Sequence, residues 1–181
     1  MTKPEAKNVI AYRPCAAMVL FKATGDVLVA ERNDMTESAW QIPQGGIDDH
    51  ETAEQAALRE LEEEIGTAAA EIVDVAPNTV SYDWPPNKVG GRRKKWRGQC
   101  ITLVALRFTG HDRDINLETD HPEFRRWKWV PLEMLPRLVT PFKRPVYDYA
   151  VSEFSQIRDQ LVQSGQSPQW QVTPIGHEHL K

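Results

Sequence analysis

Glutamates are crowded into one short stretch near the middle of the chain, RELEEEIG at 59–66. On a helix of about 100° per residue, Glu60, Glu63 and Glu64 share one face, whereas Glu62 points away from them. Like charges at this spacing repel, and carboxylates in a last turn face the negative end of the helix dipole. A bound cation would reverse both effects. Clustered carboxylate oxygens suit Mg²⁺, Mn²⁺ or Ca²⁺ rather than structural zinc.

A solvated acidic helix face is the competing interpretation, and for a bare run of glutamates it is the commoner outcome. Arg59 stands one turn before Glu63 and can pair with it, which would hold that carboxylate in place. The residues that flank the run therefore decide between a surface and a site.

A helix over 53–65 must carry these carboxylates. Thr52 and Gln55 have the spacing of a capping box, and Gly66 supplies the stop. The apolar residues expected on its buried side are Ala57, Leu58, Leu61 and Ile65.

The rest of the chain predicts an α/β protein in which a mixed sheet lies between helices. Apolar and β-branched runs predict strands at 15–22, 26–32, 71–76, 99–108 and 125–131. Helical spacing predicts a helix over 144–162, and a proline after a strand predicts a short one near 132–135. The run ITLVAL lacks alternation, which suits a central strand covered on both faces. The order of the strands stays open.

Composition predicts one soluble globular domain over 1–163, followed by a flexible tail over 164–181. The start lacks an apolar leader, and Cys15 and Cys100 are far apart in apolar surroundings, so we expect a cytoplasmic protein with reduced thiols. A net charge of −4 disfavours nonspecific nucleic-acid binding overall. We expect no membrane and no DNA partner, and protein partners stay open.

Seven positions around the glutamate run follow the spacing G-x5-E-x7-R-E-U-x-E-E-x-G-U, where U is a bulky aliphatic residue. They are Gly45, Glu51, Arg59, Glu60, Glu63, Glu64 and Gly66. This pattern resembles the box of the Nudix hydrolases. One position departs, because Thr67 stands where the last aliphatic residue is usual.

The resemblance implies an α/β/α sandwich that hydrolyses a nucleoside diphosphate linked to another group, with a divalent metal. By matched position, Glu60, Glu63 and Glu64 would bind Mg²⁺ or Mn²⁺. The carbonyl of Gly45 would be a further ligand, and Arg59 would orient a glutamate.

Three further stretches, YRPCAAMVLF (12–21), WQIPQGGID (40–48) and the segment that begins HPEF at 121, resemble bacterial RNA pyrophosphohydrolases and dinucleoside polyphosphate hydrolases. This likeness implies that Glu123 is an additional metal ligand or the general base, a role that Glu63 could also take. It implies that Arg13 contacts the terminal phosphates.

Basic residues elsewhere are candidates for substrate binding. Lys95 and Arg97 end a basic stretch, KVGGRRKKWRGQ, that is either a solvated loop or a flap that meets phosphate. Phe142 and Lys143 precede the last helix and could stack a base and touch its phosphate, although Phe142 equally suits a core position.

The substrate class is left open by one departure from the resemblance. Close relatives usually continue after this basic stretch with Gln-Lys-Trp, whereas Gln99 is followed here by Cys-Ile-Thr. The leading hypothesis is hydrolysis of RNA 5′-triphosphate ends, of dinucleoside polyphosphates such as diadenosine tetraphosphate, or of both. The alternatives are a Nudix hydrolase of a nucleotide sugar or noncanonical triphosphate, and a noncatalytic nucleotide-binding protein.

Overall fold

A seven-stranded mixed sheet with helices on both faces forms the core of the chain in a computed structural model, which describes residues 11–34, 39–86 and 95–165. The strands are β1 (Tyr12–Phe21), β2 (Asp26–Arg32), β3 (Trp40–Gln41), β4 (Gln44–Gly46), β5 (Ala70–Asp83), β6 (Gly98–Phe108) and β7 (Phe124–Pro131). The helices are α1 (Ala53–Ile65), α2 (Leu135–Leu138) and α3 (Arg144–Gly165). The predicted α/β class is confirmed.

Strand order in the sheet is β3-β2-β1-β6-β5, with β4 paired to β1 and β7 paired to β2. The pair β1 and β6 runs parallel from Tyr12 opposite Gly98 to Phe21 opposite Arg107, and the neighbouring pairs are antiparallel. The expectation that ITLVAL is a central strand is confirmed, because β6 lies between β1 and β5 with most of its residues buried.

Alternate residues of the central strands enter two apolar layers. Cys15, Ala17 and Val19 of β1 face the layer that packs on α3, whereas Met18 and Leu20 face the layer that packs on α1. Burying one Leu, Ile or Phe side chain contributes about 1.5–3 kcal/mol relative to leaving it exposed. Both helices are therefore held to the sheet by their apolar stripes.

The ends of α1 agree with the sequence-based expectation. The Gln55 N–H donates to Thr52 Oγ1 at 3.3 Å, and the Thr52 N–H donates to Gln55 Oε1 at 2.9 Å, which completes the capping box. Gly66 ends the helix at φ 69°, and its N–H donates to the Glu62 carbonyl. A left-handed backbone at this position favours glycine. Leu58 was expected on the buried side but is 36% exposed.

Other elements differ from the expected ones in length. β5 continues to Asp83 because two register shifts, after Ile72 and after Val75, keep it paired with β6 beyond the predicted end at 76. β3 and β4 have two and three residues, too few for a periodic signal. α3 continues to Gly165, two residues past the predicted domain end at 163.

Two predicted segments fall partly outside the described residues, the basic stretch at 88–94 and the tail from 166 onward. Among the described residues, no helix combines the length and apolar character needed to cross a bilayer.

A pair of tyrosines on α3 offers a matched test of this packing. Tyr147 is 1% exposed, and its hydroxyl accepts the Ile42 N–H at 3.1 Å. The buried hydroxyl of Tyr149 finds no hydrogen-bond partner among the described residues. We expect Tyr147→Phe to lower the free energy of unfolding by about 1–3 kcal/mol, because it orphans a buried N–H. Tyr149→Phe should leave it unchanged or raise it.

Urea denaturation of the two variants and the wild type measures both changes. Equal losses for the two substitutions would contradict this account of the layer beneath α3.

Candidate active site

Carboxylates from α1 and from the segment just before β7 converge on one cavity of about 640 Å³. Glu64 is buried at 5% exposure, and its Oε2 accepts the Gln44 N–H at 3.1 Å. The side chain of Glu60 is 13% exposed, whereas that of Glu63 is 59% exposed at the rim. The residues that line the cavity are Arg59, Glu60, Glu62, Glu63, Glu64, Thr119, Asp120, His121 and Glu123. The predicted convergence of the three box glutamates is therefore present, and Glu62, expected on another face, also borders the cavity.

Burial and like charges act together on these carboxylates. Burial raises the pKa of Glu64 well above its usual value, and the negative charges of Glu123 and Glu60 raise it further. Burial also raises the pKa of Glu60, while hydrogen bonding and attraction from Arg59 oppose the shift. Without a cation, ionised carboxylates in this cavity destabilise the fold.

Arg59 is the centre of the hydrogen bonds on the α1 side. Its Nε and Nη2 donate to the two oxygens of Glu51 at 2.9 and 2.8 Å, and Nη1 donates to Glu60 at 2.9 Å. The predicted pair with Glu63 is present but longer, at 3.3 Å. Hydrogen bonding to Arg59 is the largest cause that lowers the pKa of Glu51 to about 2. Glu51 thus anchors Arg59, which in turn orients Glu60 and Glu63.

Two glycines of β4 allow side chains to approach the backbone closely. A Cβ on Gly45 would lie 1.7 Å from the carboxyl carbon of Glu60, and a Cβ on Gly46 would lie 2.1 Å from Arg13 Nη2. Larger residues at either position would displace these side chains. Gly45, Glu60 and Arg13, all expected at the site from sequence, are therefore neighbours.

Glu123 is positioned by the end of β2, which sequence patterns did not indicate. Arg32 Nη1 donates to Glu123 Oε2 at 2.9 Å, and the Asn33 N–H donates to the Glu123 carbonyl at 3.0 Å. Arg32 is itself held by both oxygens of Asp34, at 2.7 and 2.8 Å. The one available signal is the pair of charged residues, Glu31 and Arg32, that ends a strand with an apolar centre.

The predicted substrate residues are dispersed. Lys143 is 9% exposed, and its Nζ donates to Gln41 Oε1 at 2.9 Å and Gln44 Oε1 at 3.1 Å. Phe142 is half-buried against the α3 layer, with its ring centroid 5.5 Å from that of Tyr82.

Arg97 pairs with Asp83 at 2.8 Å, and Lys95 Nζ lies 5.2 Å from the Trp96 ring centroid. Neither Arg97 nor Lys95 lines the cavity.

Gln44 joins the two sides of the site. Its N–H binds Glu64, its side-chain oxygen accepts from Lys143, and its Nε2 donates to Gln99 Oε1 at 3.0 Å. Tyr82 also donates to Gln99, whose Nε2 donates to Cys15 Sγ at 3.1 Å. The residues that follow Gln99 do not include the lysine of the usual Gln-Lys-Trp sequence. On this side of the sheet an ammonium group is supplied by Lys143.

The donor atoms fit a hard divalent cation. The cavity offers carboxylate oxygens, one of them on a buried side chain that faces like charges. Within the described ranges, no three His, Cys, Asp or Glu side chains already share ligating geometry. Arg59 and Arg32 hold the carboxylates of Glu60, Glu63 and Glu123 instead. Cation binding would therefore require these side chains to rearrange, and each could turn its second carboxylate oxygen to the cation while the first still accepts from an arginine.

Comparison with known proteins agrees with this geometry. A NUDIX domain model matches residues 11–150. An RNA pyrophosphohydrolase of Acidiphilium cryptum is 44% identical over 153 residues, which cover 82% of this chain and 93% of the relative. Another RNA pyrophosphohydrolase, from Rhodospirillum rubrum, is 46% identical over 154 residues, covering 81% and 88%.

Solved structures share the fold at much lower identity. The dihydroneopterin triphosphate pyrophosphohydrolase of E. coli has a TM-score of 0.57 at 19% identity, covering 78% of this chain and 99% of that one. An Ap4A hydrolase complex from C. elegans has a TM-score of 0.55 at 18% identity, covering 78% and 98%. At these identities the likeness is one of architecture.

Removing the charge of Glu64 tests the electrostatic account. Because the folded protein raises the pKa of Glu64, its contribution to stability is complete below the unfolded pKa and is lost as pH rises through the folded pKa. A glutamine cannot ionise and can still accept the Gln44 N–H. In EDTA, we expect Glu64→Gln to melt at a higher temperature than wild type, with the difference growing as pH rises above the ordinary pKa of a glutamate, about 4.3.

Thermal unfolding across this pH range measures the difference, with about 2–4 °C expected for each kcal/mol gained. Glu62→Gln is the control, because Glu62 occupies the same last turn but is exposed. If both variants changed equally with pH, the helix dipole alone would explain the effect.

Proposed function

Since the chain belongs to the Nudix hydrolase family, we propose that it is a metal-dependent pyrophosphohydrolase that converts 5′-triphosphorylated RNA ends to 5′-monophosphates. The observation that carries the proposal is the convergence of Glu123 with the three box glutamates on one cavity. The relatives named RNA pyrophosphohydrolase support this substrate, because they are 44% and 46% identical over most of the chain. Dinucleoside polyphosphates are a second substrate class, since their phosphate bridge presents the same anhydride bonds.

Mg²⁺ or Mn²⁺ is the proposed cofactor, held by Glu60, Glu63, Glu64 and Glu123, with the Gly45 carbonyl as a further ligand. When bound, the cation would neutralise phosphate charge and lower the pKa of coordinated water. Glu64 suits the role of a fixed ligand, because it is buried and anchored by the Gln44 N–H.

Arg59 orients the ligand set from its anchor on Glu51. The phosphates of the substrate would displace the carboxylates from their ion pairs, or bind beside them. Arg13, packed on Gly46 next to this set, would contact the terminal phosphates through its guanidinium.

Hydrolysis forms a bond from the oxygen of a water molecule to phosphorus and breaks the bond from that phosphorus to the bridging oxygen, which leaves with the other phosphate group. It requires a carboxylate that accepts the proton of the water. Glu63 and Glu123 are the candidate bases, because both side chains are more than 40% exposed, at 59% and 42%. Arg59 holds one carboxylate oxygen of Glu63, and Arg32 holds one of Glu123. In each case the second oxygen can turn toward water.

Lys143 and Phe142 would receive the first nucleotide on the α3 side, and Lys95 and Arg97 would meet phosphate from the edge of the basic stretch. For Arg97 this requires exchange of Asp83 for phosphate as its partner. A cytoplasmic location belongs to the proposal, and the free thiols of Cys15 and Cys100 are consistent with it.

A substrate panel tests the proposal directly. Purified protein with Mg²⁺ should convert triphosphorylated RNA to the monophosphate with a higher kcat/KM than it shows for nucleotide sugars or noncanonical triphosphates. Product identification by chromatography, alongside diadenosine tetraphosphate, measures the preference. Turnover of a small nucleotide alone would favour the alternative hydrolase, and turnover of no substrate beside an active reference enzyme would contradict catalysis.

Substitution of single carboxylates tests whether each one takes part in the reaction. Glu63→Gln, Glu64→Gln and Glu123→Gln should each lower kcat by about 10²-fold or more, because each removes a ligand or the base. Thermal unfolding with and without Mg²⁺ provides an independent measurement, since Glu64→Gln should abolish most of the stabilisation by Mg²⁺ seen in the wild type.

Glu54→Gln, in the first turn of the same helix, is the matched control and should retain wild-type turnover. Full activity of Glu64→Gln, or an undiminished response to Mg²⁺, would contradict its assignment as a ligand.

A further inference from the structure

Three cations lie close together on β7, outside the cavity. Arg125, Arg126 and Lys128 form what we call the cationic strip. Glu31 of β2 is opposite Trp40 of β3 and opposite Arg126 of β7, so these three side chains share one face of the sheet. Lys128, two residues beyond Arg126, extends the strip on the same face.

Trp40 and Glu31 hold the strip in place. Lys128 Nζ lies 4.1 Å from the Trp40 ring centroid, and the guanidinium carbon of Arg126 lies 5.7 Å from it. Glu31 is fully buried, and its Oε2 accepts from Arg125 at 2.9 Å and from Arg126 at 2.7 Å. Cation–π contacts and ion pairs of this kind fix long side chains that would otherwise be mobile.

The strip carries more positive charge than its packing needs. Among the described residues, Glu31 is the carboxylate that pairs with Arg125 and Arg126, and Lys128 has no ion pair there. Exposed cations add little to stability, typically less than about 1 kcal/mol each. This local excess gives the strip a positive potential, whereas the carboxylates that line the cavity make the potential there negative.

The position of the strip relates it to the proposed site. Glu123 immediately precedes β7, whose register with β2 shifts between Glu31 and Arg32, so that Phe124 lies opposite Arg32, Arg126 opposite Glu31 and Lys128 opposite Val29. At about 3.3 Å per residue of β2, Arg126 and Lys128 therefore lie roughly 3 and 10 Å beyond Phe124. On the other side, Trp40 is followed by Gln41, which accepts from Lys143. The strip therefore starts close to both Glu123 and Gln41, and it extends away from Glu123 along β7.

We propose that the cationic strip binds the phosphodiester backbone of single-stranded RNA downstream of the 5′ end. This inference rests on the proposed function and specifies that the substrate is a polynucleotide. Contact is through phosphate rather than through bases, because the cations already engage the Trp40 ring. The strip thus raises affinity without sequence preference and favours RNA over dinucleoside polyphosphates, whose second nucleoside follows the phosphate bridge directly.

Kinetics with two substrate lengths test the strip. A triphosphorylated dinucleotide and a triphosphorylated, unstructured RNA of about twelve nucleotides are compared for the wild type and for Arg126→Gln/Lys128→Gln. We expect the double variant to raise KM for the longer RNA roughly 5- to 20-fold at about 0.15 M salt, with kcat unchanged. The slope of log KM against log salt should fall by about 0.7 for each lost phosphate contact. For the dinucleotide, KM should change by less than about twofold.

Two controls accompany this experiment. Arg107→Gln/Arg113→Gln removes the same amount of charge elsewhere, since Arg107 is next to the last residue of β6 and Arg113 lies in the turn that follows. This variant should leave KM and kcat unchanged for both substrates. Lys128→Gln alone keeps the ion pairs of Glu31 intact, so it should leave the fold unchanged. It should give about half the change in salt slope seen in the double variant, and a change in this variant cannot be due to loss of folding.

The outcomes separate the strip from the function on which it rests. A wild-type KM that does not depend on RNA length, or equal effects of the two double variants, overturns the strip while turnover of the dinucleotide upholds the proposed function. Turnover of neither RNA by the wild type overturns both.

Discussion

Repulsion among the carboxylates of one cavity is the constraint on which the rest of the structure depends. Glu64 is buried beside the negative charges of Glu60 and Glu123, and burial and repulsion both raise its pKa. A chain that folds with this arrangement must hold it by other means, since an uncompensated buried charge is strongly destabilising. Arg59 and Arg32 supply positive charge in the absence of a cation, and both keep the carboxylates directed at the cavity.

The surrounding elements position these groups with little freedom. The capping box and Gly66 define both ends of α1, and the apolar stripe that includes Leu61 and Ile65 holds the helix against the sheet. Gly45 lets the Glu60 carboxylate lie against the backbone of β4. The last turn of α1 therefore presents its glutamates at a rigid edge, which is the kind of support that precise ligand geometry requires.

Charge is divided between the two faces of the sheet. The α1 side carries the carboxylates, whereas the α3 side carries Lys143 and, farther along β7, Arg126 and Lys128. Gln44 connects the sides, because its backbone binds Glu64 and its side chain binds Lys143. A polyphosphate with an attached nucleotide matches this division. Its phosphate bridge carries the charge that a cation among the carboxylates would neutralise, and the phosphates beyond the bridge would be neutralised by the basic residues.

The sequence by itself determined the elements whose signals are local. The bounds of α1, its caps, the shared face of Glu60, Glu63 and Glu64, and the burial of β6 all follow from periodicity and short-range chemistry. The resemblance of two stretches outside the box, at 12–21 and from 121 onward, placed Arg13 and Glu123 among the candidates. Only the tertiary structure decided which partners hold them: Arg32 for Glu123, Gly46 beside Arg13, and Gln44 between Glu64 and Lys143. These contacts join residues up to 99 positions apart, and no periodic pattern encodes a pair whose members meet only when distant strands are brought together.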